Sequence, residues 1–456
     1  MKKQTKSYEM DMCNGPLLGK ILLFAIPLML SGVLQLFFNA ADIIVVGRFA
    51  GHQALAAVGS TGSLINLLVN VFIGLSVGTN VLVARYYGAK KETQVSETVH
   101  TSVLTSIVCG CILIFVGLFL SKPLLTLMGT PDDVLEQAAL YMRIYFMGMP
   151  VMLLYNFGAA ILRAIGDTRR PLYFLLFAGI INVVLNLVFV IQFHLGVAGV
   201  ALATVISQAV SAVMVVYTLM KTEGCFHLDL RKLRIHPKRL TQMIKIGLPA
   251  GMQGAIFSVS NVLIQSSINS FGSVAMAGST SASNLEGFVY TAMNSFYQTN
   301  LSFTSQNVGA RKMERVHKIL AICAGCVSVV GVCMGGLVYL FGPHLLGIYS
   351  TDPEVIAYGM IRLSFVCLPY FICGLMDVLV GSMRGLGYSI LPMIVSLTGA
   401  CGLRVLWIFT VFRWNHSLEA LFISYPISWA ITAATHFFFY RLVYHHKKDL
   451  MEKGQA

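Results

Sequence analysis

The chain has 456 residues, of which 56% are hydrophobic and only 11% are charged, and its mean hydropathy is +0.76. Because a soluble globular protein carries about 25% charged residues, this composition excludes the soluble class and predicts a membrane protein. The formal net charge is +13, but the basic residues stand at the ends of apolar segments and in one polar stretch. We therefore predict no nucleic-acid partner.

Twelve apolar windows along the chain are each long enough to cross a bilayer as a helix, which takes about 20 residues. We predict an all-α membrane protein with twelve transmembrane helices embedded in the lipid bilayer. In chain order the windows are 17–46, 54–83, 99–120, 138–162, 171–193, 197–220, 243–268, 275–304, 319–341, 355–383, 391–412 and 420–444.

The loops between the windows differ in charge. Basic residues follow every second window, as with Lys90 and Lys91 after the second and the stretch 221–245 after the sixth, whereas Asp132 and Asp352 lie in opposite loops. Since positively charged loops stay in the cytoplasm, we predict a multi-pass protein of the cell membrane with both termini cytoplasmic.

The two halves of the chain share one pattern, repeated about 221 residues apart. The run Leu162-Arg163-Ala164-Ile165-Gly166 recurs as Met383-Arg384-Gly385-Leu386-Gly387, and Pro27 recurs as Pro249. Each copy holds six windows, so the copies run parallel and predict two six-helix lobes related by a pseudo-twofold axis along the membrane normal.

This repeat also predicts the domain boundaries. We expect an N-terminal lobe at 1–220, a cytoplasmic linker at 221–240, and a C-terminal lobe with a cytoplasmic tail at 241–456. Secondary transporters built from such repeats place their sites near the bilayer midplane where the repeats meet.

The first window carries a carboxylate, Asp42, at membrane depth, where an ionisable residue is costly and is a functional candidate. Gln35, Asn39 and Asp42 follow the i, i+4, i+7 spacing, so they share one face of the helix. We interpret Gln35 and Asn39 as lining a substrate cavity.

Two further windows carry polar residues at a depth similar to that of Asp42. Asn182 and Asn186 are four residues apart in the fifth window, and Thr204 lies in the sixth. Oxygen ligands beside a carboxylate suit a proton or Na⁺, so we predict a cation-coupling site from Asp42, Asn182, Asn186 and Thr204. The alternative is that these groups only hydrogen-bond the helices together.

The second half carries Glu286, Asp377 and Arg404 inside predicted spans. Glu286 is either an acid that lines the substrate cavity or the partner of Arg404. Asp377 is either a second cavity acid or a structural partner of Arg384 or Arg163. A cavity-lining acid and an acid in a structural ion pair are the same residue types, so the sequence leaves both roles open for Glu286 and Asp377.

Pro27 and Pro249 fall inside the first and seventh windows. Each removes one backbone hydrogen bond, so we predict a bend in both helices.

Several of these segments together resemble the multidrug and toxic compound extrusion (MATE) family, and the resemblance spans nearly the whole chain. The matching segments are Asp42-Ile43-Ile44-Val45-Val46-Gly47-Arg48, Ala54-Leu55-Ala56-Ala57-Val58-Gly59, Tyr87-Gly88-Ala89-Lys90-Lys91, Leu162-Arg163-Ala164-Ile165-Gly166-Asp167 and the run 196–204. The resemblance is strongest to the DinF-type branch. It implies a two-lobe antiporter that expels organic cations in exchange for Na⁺ or H⁺.

By position, the resemblance implies that Asp42 is the essential coupling acid and that Asn182 and Thr204 are supporting ligands. It also implies that Pro27 forms a bend whose geometry responds to protonation. The sequence departs from the branch at Asn186, where an acid is usual. Because a second negative charge would help to hold Na⁺, this departure favours H⁺.

Our hypothesis is therefore efflux of cationic or amphiphilic compounds by alternating access, with no cofactor beyond the coupling ion and a monomeric state. The alternative is a flippase or exporter of a lipid-linked or glycan substrate on the same fold, which would need a strongly basic cavity. No zinc-type His/Glu pair or Ser/His constellation lies in the spans, so we predict that the protein is not an enzyme.

Overall fold

The computed structural model describes residues 8–453, apart from the His52 side chain, and no strand forms among them. The chain ends predicted to be cytoplasmic, 1–7 and 454–456, lie outside the described residues. The α-helices are α1 Leu17–Phe49, α2 His52–Gly88, α3 Glu92–Leu127, α4 Asp132–Met147, α5 Met149–Ala164, α6 Arg169–Leu187, α7 Gly196–Lys221, α8 Pro237–Asn269, α9 Ser273–Gly309, α10 Met313–Leu340, α11 Gly342–Gly347, α12 Pro353–Arg362, α13 Tyr370–Leu386, α14 Ile390–Ser396, α15 Leu403–Phe409, α16 Val411–Trp414, α17 Leu418–Phe422 and α18 Ser424–Glu452. Short π-helical turns occupy Val188–Gln192, Leu363–Cys367 and Leu397–Gly402, and a 3₁₀ turn occupies Leu230–Lys232.

The predicted spans all fall on these helices. Eight segments of the described chain are long and apolar enough to cross a membrane, and two bent helix pairs, α4–α5 and α12–α13, raise the number to ten. The remaining two predicted windows lie on α9 and α18, which have 37 and 29 residues. The α9 helix is less apolar because it buries many polar side chains, among them Thr299, Asn300 and Gln306. The predicted fold class, an all-α membrane protein with a repeated architecture, is confirmed.

The sharpest breaks in the spans do not occur at the prolines singled out in the sequence. The chain bends by 48° between α4 and α5, at Gly148, and by 42° between α12 and α13, near Pro369. These breaks occupy equivalent places in the two copies of the repeat. Pro27 and Pro249 lie inside helices α1 and α8, which run without interruption. A bend at either proline stays a prediction.

Helix α6 shows how the side chains of a span are divided between an exposed apolar face and a buried polar face. Tyr173, Phe177, Ile180 and Val184 recur at i, i+4, i+7, i+11 and are each more than half exposed. The opposite face buries Gly179, Asn182 and Asn186. A helix with its apolar face outside and its polar face inside is favoured in a bilayer, where no water competes for the polar groups.

The described chain divides into two compact units. Unit 1 contains the residues up to Asp11 and Leu30–Gly251, and unit 2 contains Met12–Met29 and the chain from Met252 onward. The divisions therefore fall within helices α1 and α8. The boundaries predicted at 220 and 241 stay a prediction.

The two units repeat the same packing. In unit 1, α5 packs against α2, α3 and α7, and in unit 2 the equivalent helix α13 packs against α9, α10 and α18. Each unit has an apolar core around these helices, which includes Ile161 and Leu219 in unit 1 and Met376 and Trp429 in unit 2. The duplicated sequence pattern thus corresponds to duplicated helix contacts.

Candidate functional site

Asp42 lies in a polar cluster in unit 1, between helices α1, α6 and α7. The Asn186 amide Nδ2 donates a hydrogen bond to Asp42 Oδ1, and also lies 3.2 Å from Asn182 Oδ1. The Thr204 hydroxyl hydrogen-bonds the Asp42 carboxylate and lies 3.0 Å from the Val200 carbonyl oxygen. The structure thus brings together the four residues of the predicted coupling site.

The cluster has more acceptor oxygens than donors. Asn182 and Asn186 are both buried, and Asn186 Oδ1 has no hydrogen-bond partner among the described residues. The Asp42 carboxylate is only partly buried. A buried acceptor without a donor is costly, so this arrangement favours the binding of a proton or a small cation among the oxygens.

Local packing explains why Asp42 reaches helix α6. A Cβ atom added at Gly179 would overlap the Phe38 ring, so the missing side chain at Gly179 admits this ring between the helices. Phe38 and Asp42 are one turn apart on α1, and Gly179 and Asn182 are one turn apart on α6. The close approach at Phe38 therefore places the carboxylate against Asn182 and Asn186.

Two tyrosines that the sequence reasoning missed also belong to the surroundings of Asp42. Tyr141 and Tyr145 on α4 interact electrostatically with the Asp42 carboxylate. Their rings stack at a centroid distance of 6.0 Å, and Tyr141 is buried. The signal in the sequence was the i, i+4 spacing of two amphipathic rings inside a span, since a buried tyrosine hydroxyl needs a polar neighbour.

Gln35 and Asn39 do not join this cluster. Both side chains are exposed, and neither forms a hydrogen bond with another described residue. Sharing a helix face with Asp42 was therefore insufficient to bring Gln35 and Asn39 into the cluster. Their role as cavity-lining residues stays a prediction.

Glu286 forms a buried ion pair in unit 2. Arg362 Nε lies 2.8 Å from Glu286 Oε1 and Arg362 Nη2 lies 2.9 Å from Oε2, which is a bidentate geometry. Arg362 Nη1 also donates to the Ser279 hydroxyl at 2.8 Å. The proposed pairing of Glu286 with Arg404 is therefore wrong, because α12 presents a different arginine to α9.

Arg404 instead packs on aromatic rings. Its guanidinium carbon lies 4.2 Å from the Tyr425 ring centroid and 5.4 Å from that of Trp429. Its Nε lies 2.9 Å from the Ser428 hydroxyl oxygen. The side chain is buried, and its Nη2 has no hydrogen-bond partner among the described residues. Cation–π contacts thus replace the acid that the sequence led us to expect.

Asp377 accepts a hydrogen bond from the Tyr290 hydroxyl, and Tyr290 is hydrogen-bonded to Asn294. Within the described part of the chain Asp377 forms no ion pair. Arg384, a predicted partner, donates instead to the Tyr297 hydroxyl at 2.7 Å and to Gln253 Oε1 at 2.8 Å. Asp377 therefore has no direct ion-pair partner in unit 2, although the Arg384 guanidinium interacts with it electrostatically.

Across residues 8–453, no three His, Cys, Asp or Glu side chains come together in a way that could hold a metal ion.

Comparison with known sequences places both halves of the chain in one family. The sequence profile of the MatE family matches residues 27–188 and again 249–410. The Bacillus subtilis (strain 168) protein named "Probable multidrug resistance protein YoeA" is 28% identical over 435 residues, which cover 93% of this chain and 94% of the relative. The "Multidrug export protein MepA" of Staphylococcus aureus (strain NCTC 8325 / PS 47) is 21% identical over 92% of this chain and 96% of that protein.

Solved structures share the fold at low sequence identity. The crystal structure of MATE in complex with MaL6 has a TM-score of 0.91 at 21% identity. The match covers 98% of this chain and 100% of the chain in that structure. The outward-facing conformation of a multidrug resistance MATE family transporter has a TM-score of 0.89 at 22% identity, with coverages of 96% and 98%. These structures show the shared fold. The two profile matches, which span most of the chain, show that the chain belongs to the MatE family, a family of transporters and not of enzymes.

Proposed function

We propose that this protein expels cationic or amphiphilic organic compounds in exchange for H⁺ or Na⁺, with Asp42 as the coupling carboxylate. The observation that carries the proposal is the cluster of Asp42 with Asn182, Asn186 and Thr204 in unit 1. No described Lys or Arg forms an ion pair with Asp42. A carboxylate at membrane depth without a fixed counter-ion requires a mobile positive partner, which is what a coupling site needs.

The exchange follows from competition for this negative charge. In the outward-facing state Asp42 binds the ion, which weakens the hold on a bound cation. In the inward-facing state the ion leaves and a new organic cation enters. An ion drives this cycle only through its different affinity for the two states. The membrane potential adds about 2.3 kcal/mol per unit charge for each 100 mV.

We favour H⁺ over Na⁺ as the coupling ion. The cluster contains one carboxylate, because Asn186 supplies an amide where a second acid would strengthen the binding of Na⁺. A single carboxylate is neutralised by one proton without further ligands. A Na⁺ ion would have to compete with the Asn186 amide for Asp42 Oδ1.

The proposed substrate class rests on the names of the relatives, which are multidrug resistance and multidrug export proteins, and on unit 2. Glu286 is neutralised by Arg362, so Asp377 is the stronger candidate for contact with a cationic substrate. The Tyr290 ring beside Asp377 stacks with Tyr370 at a centroid distance of 6.2 Å. Aromatic faces next to a carboxylate attract organic cations.

We further propose that the transporter works as a monomer in the cell membrane, with both termini in the cytoplasm. The basic loops that follow every second span support this orientation.

One observation favours the alternative, an exporter of an anionic glycan or lipid-linked substrate. Arg404 is buried and keeps one guanidinium nitrogen without a partner. Such a group attracts an anionic or carbonyl oxygen. The alternative is weaker because a second buried arginine of unit 2, Arg362, is already compensated by Glu286.

Transport into proteoliposomes tests the proposal when a pH gradient and a Na⁺ gradient are imposed separately, with a fluorescent organic cation as substrate. We expect the pH gradient to drive transport and Asp42→Asn to reduce it to background. Asp133→Asn removes an acid from an exposed position and should transport normally. Full pH-driven transport by Asp42→Asn at equal protein level would remove Asp42 from the mechanism.

A further inference from the structure

A basic cleft lies in unit 2, where the turn between α9 and α10 meets the end of α18. Its volume is about 540 Å³, within the range of about 300–1,000 Å³ that is typical of small-ligand sites. Four cationic side chains line it: Arg311, Lys312, Arg315 and Lys448. Nothing in the proposed transport cycle uses this cleft.

The charge in the cleft is incompletely compensated. Two acids, Glu314 and Glu452, also line it, so two positive charges remain in excess. Glu452 lies 3.9 Å from Lys448, and both of these side chains are substantially exposed. Arg311 is exposed and forms no ion pair with a described residue. The cleft therefore presents a net positive charge to an incoming anion.

Three structural features favour a ligand that carries both a negative charge and an apolar part. Arg315 Nε is buried without a hydrogen-bond partner among the described residues, so one donor of a residue that lines the cleft is unsatisfied. Helix α10 begins at Met313, and its N-terminal amide groups add positive potential on the same side. Met313 and Met451 give the cleft apolar walls, which a free inorganic anion would not need.

Two of the cleft cations also hold the segment that leads into α1. Lys312 Nζ lies 3.0 Å from the Cys13 carbonyl oxygen, and Arg315 Nη2 lies 3.1 Å from the Gly15 carbonyl oxygen. Arg311 and Lys448 have no such structural contact with this segment. They are therefore the cations whose removal should disturb a bound anion without loosening the chain.

We propose that this cleft binds the phosphate of an anionic phospholipid headgroup, with Arg311, Arg315 and Lys448 as its cationic ligands and the methionines beside the acyl-glycerol portion. We assign the phosphate to a lipid and not to a free anion, because the cleft lies at the ends of membrane-spanning helices and combines cations with apolar walls. The proposal does not depend on which compound or ion is transported.

Native mass spectrometry of the full-length protein tests this proposal, with phosphatidylglycerol, phosphatidylcholine or inorganic phosphate titrated into the micelles. We expect tighter retention of phosphatidylglycerol than of phosphatidylcholine, and no displacement by millimolar inorganic phosphate. Arg311→Gln combined with Lys448→Gln should weaken phosphatidylglycerol binding, by about fivefold for each cation removed.

The repeat supplies a matched control. Lys90 and Arg311 occupy equivalent turns and both have a left-handed backbone, with φ of 55° and 58°. Lys90→Gln combined with Lys91→Gln removes the same charge from the other copy and should leave the lipid affinity unchanged. Equal weakening by both double variants, equal retention of the two lipids, or displacement by inorganic phosphate would each overturn the proposal.

Discussion

Asn186 shares a single amide group between two oxygens, Asp42 Oδ1 and Asn182 Oδ1. An aspartate at this position would have no hydrogen to donate and would place a second carboxylate beside Asp42. Two carboxylates at hydrogen-bond distance cannot both be ionised unless a cation lies between them. The choice of amide or acid at this position should therefore decide which ion the cluster prefers.

Asn186→Asp should convert the cluster into a Na⁺ site. We expect the melting temperature of the purified variant to rise in NaCl relative to equimolar KCl, and the wild type to show a smaller difference. Asn415→Asp is the control, because it adds the same charge at an exposed position in unit 2, outside the cluster. Equal melting temperatures of the Asn186→Asp variant in both salts would contradict the prediction.

The Glu286–Arg362 pair has a different character, because both charges are buried and satisfied by each other. Removing one partner leaves the other charge buried without compensation, which costs about 3–5 kcal/mol. Replacing both by apolar groups of similar volume is often neutral. The pair is thus best understood as a structural connection between α9 and α12.

Glu286→Gln should lower the free energy of unfolding by about 3–5 kcal/mol, measured by denaturant unfolding in detergent. The double variant Glu286→Leu with Arg362→Met should recover most of this loss and should retain transport. Stability unchanged in the single variant, together with loss of Na⁺- or H⁺-driven transport, would instead assign Glu286 to the substrate cavity.

At the scale of helices, the contact between α1 and α6 positions the coupling site. Gly179 admits the Phe38 ring, and the next turns of both helices bring Asp42 to Asn182 and Asn186. A π-helical turn starts at Val188, just after this contact. Such turns are often found at functional sites, because they rotate the side chains that follow.

Gly179→Ala should separate α1 from α6, because the added Cβ overlaps the Phe38 ring. We expect a loss of about 1–3 kcal/mol in stability, as for overpacked sites, and a matching loss of coupled transport. Gly62→Ala in α2 is the control, since an added Cβ there meets nothing within 4 Å. Transport should return when Phe38→Ala is combined with Gly179→Ala, and failure of this rescue would argue against the contact.

At the scale of the whole molecule, α9 is one of two predicted spans, with α18, that are not recognised by length and apolar composition. Its polar side chains keep it out of the set of helices that are apolar enough to cross a membrane alone. It nevertheless repeats the packing of α2, because it contacts α10 and α13 as α2 contacts α3 and α5. The polar residues are tolerated because α9 is enclosed by other helices instead of lipid.

Single cysteines introduced at Ser273 and Arg311, at the two ends of α9, should be labelled from opposite sides of the membrane. We expect a membrane-impermeant maleimide added to intact cells to label Ser273→Cys and to leave Arg311→Cys unlabelled until the cells are opened. The background is a variant that lacks the ten native cysteines. Labelling of both positions from one side would mean that α9 does not cross.

The sequence alone determined the helical membrane class, the positions of the spans and the duplication. These features depend on local hydrophobic length and on a pattern that recurs along the chain, and neither needs knowledge of neighbours in space. It also singled out Asp42, Asn182, Asn186 and Thr204, because polar groups at equal depth in neighbouring spans have few other partners.

Only the tertiary structure decided which side chains contact the charged residues inside the spans. It paired Glu286 with Arg362, set Arg404 against Tyr425 and Trp429, and added Tyr141 to the surroundings of Asp42. These choices depend on the rotation of each helix about its axis and on which helices touch. Both are set by side-chain packing between segments far apart in the chain, and helical periodicity carries no information about them.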